Sequence, residues 1–546
     1  MAINSWFVLL DTIKEKKYST SVRIILECIK SPPILIPTIL FLLSAFFIYQ
    51  AIIYLGEYQD WGGDFAQYIV QSRNILWGRD WSYYMEGYPA IMPGYPLILA
   101  FVASIFGESL YNFALVNSLL WVLVSLFTYY VASNIFNSKS RIFAIFVFAL
   151  ILFNPYVIWF QQMMQPNIAY SFAVWLFFTV FLWYQKNYSI NCKINTRYFL
   201  LIILLLLIFT GFFRTTFLAL IGSFFVYGVI KKNYNFAYLS IVAAIVVISI
   251  EIYNASTGNQ DSNFEVFYQF FSRSSASEQS AFGEKVVSFL RDFSRMILSY
   301  LSSLTQTILP YSKLGIIKHA GYSHKLENGA YLEWHPLMPV FLILFIVGIR
   351  AKLKEQGVSV FDLFFVFHLL LISFFIQKGI PKRYVLPILP LFLMYSIYGF
   401  SNILDSYSNV IKKLTVLCFI LVTVVLLTSS SVWRIPQRHN VLDDEFVEAT
   451  NWIKSKCGEF GAIGFFKPRT LIYVIDDING CKNKVFVSRG DVATKKWLLR
   501  DPGRNVVLVL KKYKGYNQKV VYEALMNERD FVPIWQNNSY AIVASK

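Results

Sequence analysis

The residues best suited to chemistry lie in one short polar stretch near the N-terminus. Asp60 and Asp64 stand close together there, and Glu86 follows in the same stretch. A carboxylate held among aromatic residues can act as a general base, because burial raises its pKa while a neighbouring cation or metal keeps it ionised. The alternative is that Asp60 or Asp64 caps a helix beginning near Phe65, since acids favour helix N-termini.

A second group of residues is basic and adjoins apolar runs. Arg214 lies between two such runs, where a charge costs about 2.5–3.5 kcal/mol on insertion scales. Arg383 shares a short turn with Lys382 and Lys378. Arginine suits phosphate through its planar fork of donors. The alternatives are that Arg214 snorkels from a hairpin tip and that the lysines are solvated. His335 can contact a phosphate or an acceptor, although a loop histidine is usually a surface residue.

The composition places these residues in a membrane protein. The chain has 546 residues, of which 56% are hydrophobic and 15% charged, whereas soluble domains carry about 25% charged residues. Apolar runs of about 18 residues or more recur along it, which is the length that spans a bilayer. A soluble single-domain enzyme is therefore excluded. The net charge of +17 lies largely in short loops between apolar runs, which favours a positive-inside bias over nucleic-acid binding.

The apolar runs predict a polytopic α-helical protein with about eleven transmembrane helices. They lie near residues 34–55, 112–135, 142–160, 168–185, 198–213, 215–230, 236–253, 335–350, 359–376, 384–403 and 413–432. Alternate loops carry lysine and arginine, so the N-terminal segment 1–33 is expected in the cytoplasm. The loops 56–109 and 254–333 are then expected on the outer face of a plasma (inner) membrane, within a transmembrane domain spanning 34–432.

The tail 433–546 has the composition of a soluble domain and is predicted to lie outside the cytoplasm. Strand-like runs at 462–466, 485–488, 506–510 and 540–544 alternate with helical patterns at 443–456 and 518–528. This alternation predicts a small α/β domain. The five cysteines have no metal-site spacing, and Cys457 and Cys481 are the pair placed to form a disulfide.

Four segments together resemble a known family, the GT-C glycosyltransferases that use polyprenyl-phosphate sugars, in the branch of protein mannosyltransferases and lipid A aminoarabinose transferases. The segments are Asp64-Phe65-Ala66-Gln67-Tyr68, Met92-Pro93-Gly94-Tyr95-Pro96-Leu97, Gly211-Phe212-Phe213-Arg214, and Arg383-Tyr384 with Pro387 and Pro390. Each motif is weak alone, but four in order on the same predicted face are fairly specific. The resemblance spans the chain and implies a GT-C-like fold.

The resemblance also implies roles for individual residues. Asp64 would be the general base, while Arg214, Arg383, Lys382 and Tyr384 would bind the lipid phosphate.

Tyr68 and His335 would contact the acceptor or the phosphate. The second acid of the family's adjacent pair is Phe65 here, so a two-carboxylate arrangement, with or without a divalent metal, has to use Asp60 or Glu86. Relatives often carry an acid before Pro166, where this chain has Gln165, and that turn is assigned no role.

The sequence thus predicts an inverting membrane glycosyltransferase. Its partners would be a polyprenyl-phosphate-linked monosaccharide, membrane lipids and a glycan, lipid or protein acceptor. No cofactor is required for leaving-group departure, and no Gly-rich phosphate loop or Rossmann fingerprint occurs. Two alternatives remain open: an O-antigen ligase or polymerase, which would not need acids after the first span, and a lipid-linked-glycan flippase or transporter, which should show broken or polar helices at mid-membrane.

We expect Asp64→Asn to abolish sugar transfer while leaving expression and folding intact, because the amide is nearly isosteric but does not take up a proton at a useful pKa. Initial rates of the purified variant and wild type measure this. Activity within about threefold of wild type would remove Asp64 as the base, given that general-base catalysis contributes about 10²–10⁴-fold. A larger loss in Asp60→Asn or Glu86→Gln would place the base elsewhere in the same loop.

Overall fold

The protein is described from a computed structural model. It describes residues 32–54, 64–79, 91–136, 141–188, 196–256, 282–308, 323–325, 331–333, 337–375, 382–404, 444–465, 471, 485–487, 494–496, 498–511 and 518–546, although a few side chains within these helices and strands are excluded. The chain divides into two compact units, residues 1–51 and 52–546. Helix α1 (Pro32–Tyr54) crosses that division; it carries no charged residue and contains Pro37 in its second turn.

Within the larger unit, two short helices come before the long apolar ones. Helix α2 (Asp64–Leu76) carries the acidic motif, and α3 (Gly94–Phe106) carries the Pro-Gly-Tyr-Pro motif. Helix α3 ends at Gly107, whose φ of 79° is readily adopted by glycine. An ion pair then connects α2 to the turn after α3, because Nε and Nη2 of Arg73 donate to Glu108 at 2.9 and 2.6 Å.

The apolar helices follow in chain order. They are α4 (Leu110–Ile135), α5 (Arg141–Leu152), α6 (Pro155–Phe160), α7 (Asn167–Tyr188), α8 (Thr196–Gly211), α9 (Leu218–Ile230), α10 (Tyr234–Ser256), α11 (Phe282–Ile308), α12 (Met338–Gln356), α13 (Val360–Phe375) and α14 (Leu389–Leu404). Between α11 and α12 lies a small antiparallel hairpin of β1 (Ser323–Lys325) and β2 (Tyr331–Glu333).

The run 142–160, predicted as one span, is broken into α5 and α6. Pro155 lacks a backbone N–H and cannot continue the preceding helix. Asn154 instead caps α6, since its Oδ1 accepts from the backbone N–H groups of Tyr156 and Val157 at 3.1 Å. Its Nδ2 donates to the Thr307 carbonyl at the end of α11. The break therefore provides a contact between α6 and a distant helix.

Helix α11 lies within the segment 254–333, which was predicted only as a long loop. Met296, Tyr300, Leu304 and Ile308 are buried along it at a spacing of four residues, which is one helical face. The face packs against α13, and the Tyr300 hydroxyl donates to the Ile372 carbonyl at 3.3 Å. The predicted loop thus contributes a helix to the packed core.

Helices α12 and α14 cross with their backbones in contact. A Cβ on Gly348 would overlap the Tyr395 carbonyl, and one on Gly399 would overlap the Leu344 carbonyl. Small residues at a crossing let membrane helices approach closely, which increases van der Waals contact. These two glycines are therefore needed for the observed packing of α12 on α14.

The remaining described residues form a five-stranded mixed sheet with helices on both faces. The strands are β3 (Ala462–Phe465), β4 (Val485–Val487), β5 (Asn505–Leu510), β6 (Phe531–Gln536) and β7 (Tyr540–Ser545), in the order β4-β3-β5-β7-β6. The pairs β3–β4 and β3–β5 are parallel, while β5–β7 and β6–β7 are antiparallel. The helices are α15 (Asp444–Lys456) and α16 (Gln518–Met526).

Alternation along the strands separates two hydrophobic clusters. Val506 and Leu508 of β5 join the cluster containing α15 residues, whereas Val507 and Val509 join the cluster containing α16 residues, as the two-residue period of a strand requires. Val70 of α2 is also a member of the first cluster. The acidic-motif helix is therefore packed against the C-terminal sheet domain.

In the described part of the chain, three helices are long and apolar enough to cross a membrane. They comprise Leu35–Ile53, Leu110–Ile135 and Asn167–Lys186. Most other predicted spans correspond to shorter apolar helices, among them Arg197–Gly211, Tyr234–Ile250 and Leu389–Leu404. The run 384–403 begins with a 3₁₀ turn at Lys382–Val385, so its helix starts at Leu389. The run 413–432 lies outside the described residues, and eleven spans stay a prediction.

We expect Gly399→Ala to lower the thermal stability of the purified protein, because the new methyl group forces α12 away from α14 at a cost of about 1–3 kcal/mol. Gly222→Ala on α9 is the matched control. Its Cβ would meet a Phe367 ring atom at 3.3 Å, and alanine is the better helix former by about 1 kcal/mol. Equal melting temperatures for Gly399→Ala and wild type would contradict the close crossing.

Candidate functional site

Two arginines from distant parts of the chain meet at Tyr384. Arg214 lies in the hairpin between α8 and α9, where it precedes a 3₁₀ turn at Thr215–Phe217. Arg383 and Tyr384 belong to the 3₁₀ turn before α14. The guanidinium carbons of Arg214 and Arg383 lie 4.4 and 5.3 Å from the Tyr384 ring centroid. Both distances are within the range of cation–π attraction.

Neutral amides orient the two guanidinium groups. Arg214 Nη1 donates to Asn167 Oδ1 in a short hydrogen bond, and Arg383 Nη1 donates to Gln165 Oε1 at 2.9 Å. An amide oxygen fixes the direction of a guanidinium group without neutralising its charge. The turn before α7 had been assigned no role in the sequence analysis, and that was wrong. Its signal was a set of amide side chains in an apolar surrounding.

The electrostatic effect of the two arginines is visible at Tyr384. Burial raises the pKa of the Tyr384 hydroxyl, but the charges of Arg214 and Arg383 and their hydrogen bonds lower that pKa further than burial raises it. The net pKa is therefore below its ordinary value, which means that this position favours negative charge. Within the described residues Arg214 forms no ion pair with a carboxylate. Its half-buried charge is available to an anion.

Two helices hold the turn that carries Arg383 and Tyr384. His368 of α13 lies 2.9 Å from the Tyr384 carbonyl through Nε2; because a carbonyl only accepts, Nε2 carries the proton. The packed, hydrogen-bonded state that the sequence favoured for His368 is confirmed. Trp175 of α7 donates its indole N–H to the Pro387 carbonyl at 3.1 Å. These two bonds fix the turn relative to α7 and α13.

The Pro-Gly-Tyr-Pro motif is tied to the Arg214 hairpin by a backbone hydrogen bond. The Gly94 N–H donates to the Phe212 carbonyl at 2.8 Å. A Cβ on Gly94 would lie 2.7 Å from that same oxygen, closer than real Cβ atoms approach. Only glycine permits this contact, which places the start of α3 two residues from Arg214.

Tyr95 connects the same motif to the turn that holds Arg383. Its hydroxyl donates to Asn117 Oδ1 at 3.2 Å, while Asn117 Nδ2 donates to the carbonyls of Gln161 and Met163. Burial raises the pKa of the Tyr95 hydroxyl, which keeps it protonated as a donor. Tyr68 of α2 packs edge-on against Tyr95 with ring centroids 5.4 Å apart. All four motif segments therefore converge on one region.

The other predicted site residues are placed as follows. Asp64 is the first residue of α2, which agrees with either a base or a capping position. Lys382 lies in the turn beside Arg383. Asp60, Glu86, His335 and Lys378 lie outside the described residues. Across the described ranges, no three His, Cys, Asp or Glu residues are close enough to hold a metal ion.

Comparisons with known proteins connect this geometry to a fold. No protein-family model matches the chain, and no curated protein matches it in sequence. Solved structures do match. The apo structure of ArnT from Cupriavidus metallidurans aligns with a TM-score of 0.56 and 13% identity, covering 93% of this chain and 98% of that one. The same protein bound to undecaprenyl phosphate aligns with a TM-score of 0.52 and 11% identity, covering 92% and 97%.

A third match is the archaeal oligosaccharyltransferase AglB from Archaeoglobus fulgidus, in complex with an inhibitory peptide and a dolichol-phosphate. Its TM-score is 0.54 at 12% identity, and the alignment covers 89% of this chain and 70% of that one. At such identities the likeness establishes the fold. Both matched proteins are GT-C enzymes, so the resemblance drawn from the four motifs is confirmed at that level. The chain is a multi-pass membrane protein with the GT-C fold.

Proposed function

We propose that this protein is a membrane glycosyltransferase that moves a monosaccharide from a polyprenyl-phosphate donor to an acceptor on the outer face of the membrane. The observation that carries the proposal is the pair of arginines at Tyr384, on a fold shared with proteins crystallised with undecaprenyl phosphate or dolichol-phosphate. Two guanidinium groups oriented by amides are suited to bind one phosphate through bidentate hydrogen bonds.

Charge balance during transfer gives these arginines a role in the reaction. The donor phosphate is a diester with one negative charge. When the bond from the sugar C1 to the phosphate oxygen breaks, its electron pair stays on that oxygen, and the departing monoester carries two negative charges. Arg214 and Arg383 stabilise the charge that develops, which lowers the barrier more than it strengthens donor binding.

The acceptor is activated from the opposite side of the sugar ring. Asp64 takes the proton from the acceptor hydroxyl or amine, whose lone pair forms the new bond to C1 with inversion. The position of α2 supports this role, because Tyr68 of the same helix packs on Tyr95, beside the turn that holds Arg383. Asp60 and Glu86 are the further carboxylates proposed in this loop, with or without a divalent metal.

Placement outside the cytoplasm is supported by the C-terminal domain. Cys457 is disulfide-bonded, and disulfides persist in oxidising compartments such as the periplasm or the cell surface. The same domain packs on α2 through Val70. We infer that it covers the reaction region and positions the acceptor.

The direct test follows release of free polyprenyl phosphate when the purified protein is incubated with a panel of polyprenyl-phosphate sugars and an envelope extract as acceptor. We expect release with at least one sugar and its loss in Asp64→Asn. A flippase would move the donor across vesicles without cleaving it. A ligase of the O-antigen type would instead consume a diphosphate-linked glycan, and activity with only that donor would overturn the proposal.

The arginines provide a second, quantitative prediction. Arg214→Ala and Arg383→Ala should each lower kcat/KM for the donor by about tenfold to a hundredfold, because each removes a charged hydrogen bond worth about 1.5–3 kcal/mol. Lys378→Ala is the control and should change little. Steady-state kinetics and the melting temperature of each variant separate lost binding from misfolding. Equal losses in all three variants would indicate a diffuse surface potential instead of a phosphate site.

A further inference from the structure

A stripe of buried amide side chains runs along α2, the helix that begins with Asp64. Gln67, Gln71 and Asn74 are 3%, 0% and 1% exposed. Their spacing of four and three residues places them on one face of the helix. Gln71 follows Asp64 by seven residues, so the two positions differ by only about 20° around the helix axis. The stripe therefore extends from the proposed base along the same face.

Gln71 is the member of this stripe whose hydrogen-bonding groups are vacant. Neither Oε1 nor Nε2 of Gln71 has a partner in the structure, although both atoms are buried. Gln67 and Asn74 both interact with other groups. A buried amide without partners is unfavourable, because it has lost its hydrogen bonds to water without replacement. The side chain is therefore set up for a group that supplies both a donor and an acceptor.

The surroundings of α2 place Gln71 between two functional parts of the molecule. On one side, about 100° around the axis, Val70 is packed into the C-terminal domain. On the other side, about 60° away, Tyr68 packs on Tyr95. The Tyr95 hydroxyl also approaches Met164 Sδ at 3.8 Å, and the next residue, Gln165, holds Arg383. Gln71 thus faces the region between the C-terminal domain and the arginine pair.

We propose that Gln71 binds two neighbouring hydroxyl groups of the sugar being transferred, donating from Nε2 to one and accepting at Oε1 from the other. This inference rests on the proposed glycosyl transfer and identifies the part of the donor that the site recognises. A phosphate diester offers only acceptors and would leave Oε1 unsatisfied. An isoprenoid chain offers neither group. A sugar with adjacent hydroxyls satisfies both amide atoms at once, so Gln71 acts as a specificity-determining residue.

The test uses Gln71→Leu in the full-length protein, with Gln67→Leu as the matched control on the same helix. Leucine replaces an unpartnered amide, so the melting temperature without ligand should stay the same or rise. Gln67→Leu removes an amide that has partners and should lower it. The KM of Gln71→Leu for the polyprenyl-phosphate sugar used by wild type should increase by about tenfold or more, because a site built to hydrogen-bond a hydroxyl depends on that bond.

Polyprenyl phosphate without a sugar is the second probe. The increase in melting temperature that it causes should be the same in wild type and Gln71→Leu, whereas the larger increase caused by the sugar-bearing donor should be lost in the variant. Three results would overturn the inference: a ligand-free melting temperature lowered as far as in Gln67→Leu, an unchanged KM, or an equal loss of response to both probes. If wild type itself neither binds nor cleaves any donor, the proposed function fails and this inference fails with it.

Discussion

The structure depends on holding two guanidinium groups at one tyrosine next to apolar helices. Like charges at such a position repel each other and lose hydration, so they need fixed partners. Asn167 and Gln165 supply hydrogen bonds without supplying negative charge. His368 and Trp175 fix the turn below them, and the Gly94–Phe212 bond fixes the hairpin. The result is a rigid positive site, which is the arrangement that electrostatic stabilisation of a leaving group requires.

A different solution to buried charge is found at the far end of α12 and α13. Lys352 pairs with Asp362 and also donates to the Gly357 carbonyl and the Ser359 hydroxyl. The Tyr395 hydroxyl donates to the other Asp362 oxygen. This network is closed, and breaking a buried pair of this kind is strongly destabilising. Charges that hold helices together are thus paired within the chain, whereas Arg214 takes amide and aromatic partners that leave its charge for a ligand.

Much of the local structure could be predicted from the residues in each segment. Helices follow the apolar runs near residues 112, 168, 198, 236 and 359, because length and hydrophobicity decide whether a segment crosses a bilayer. The strands at 462, 485, 506 and 540 follow from alternating side chains. The break at Asn154 was missed although Asn-Pro is a local signal, because hydrophobicity alone was used to define the span. The amphipathic period of α11 was also legible but was obscured by its polar N-terminal half.

Contacts between distant segments were decided by tertiary structure alone. The sequence by itself determined which residues could do chemistry, since Asp64, Arg214, Arg383 and Tyr384 are conspicuous by type and setting. It gave no sign that Gln165 would meet Arg383, more than two hundred positions later, because such a partner is chosen by helix packing and not by neighbours in the chain. The same reason applies to Gln71. Its type is unremarkable, and only the packing of α2 against two other parts of the fold buries its amide without a partner.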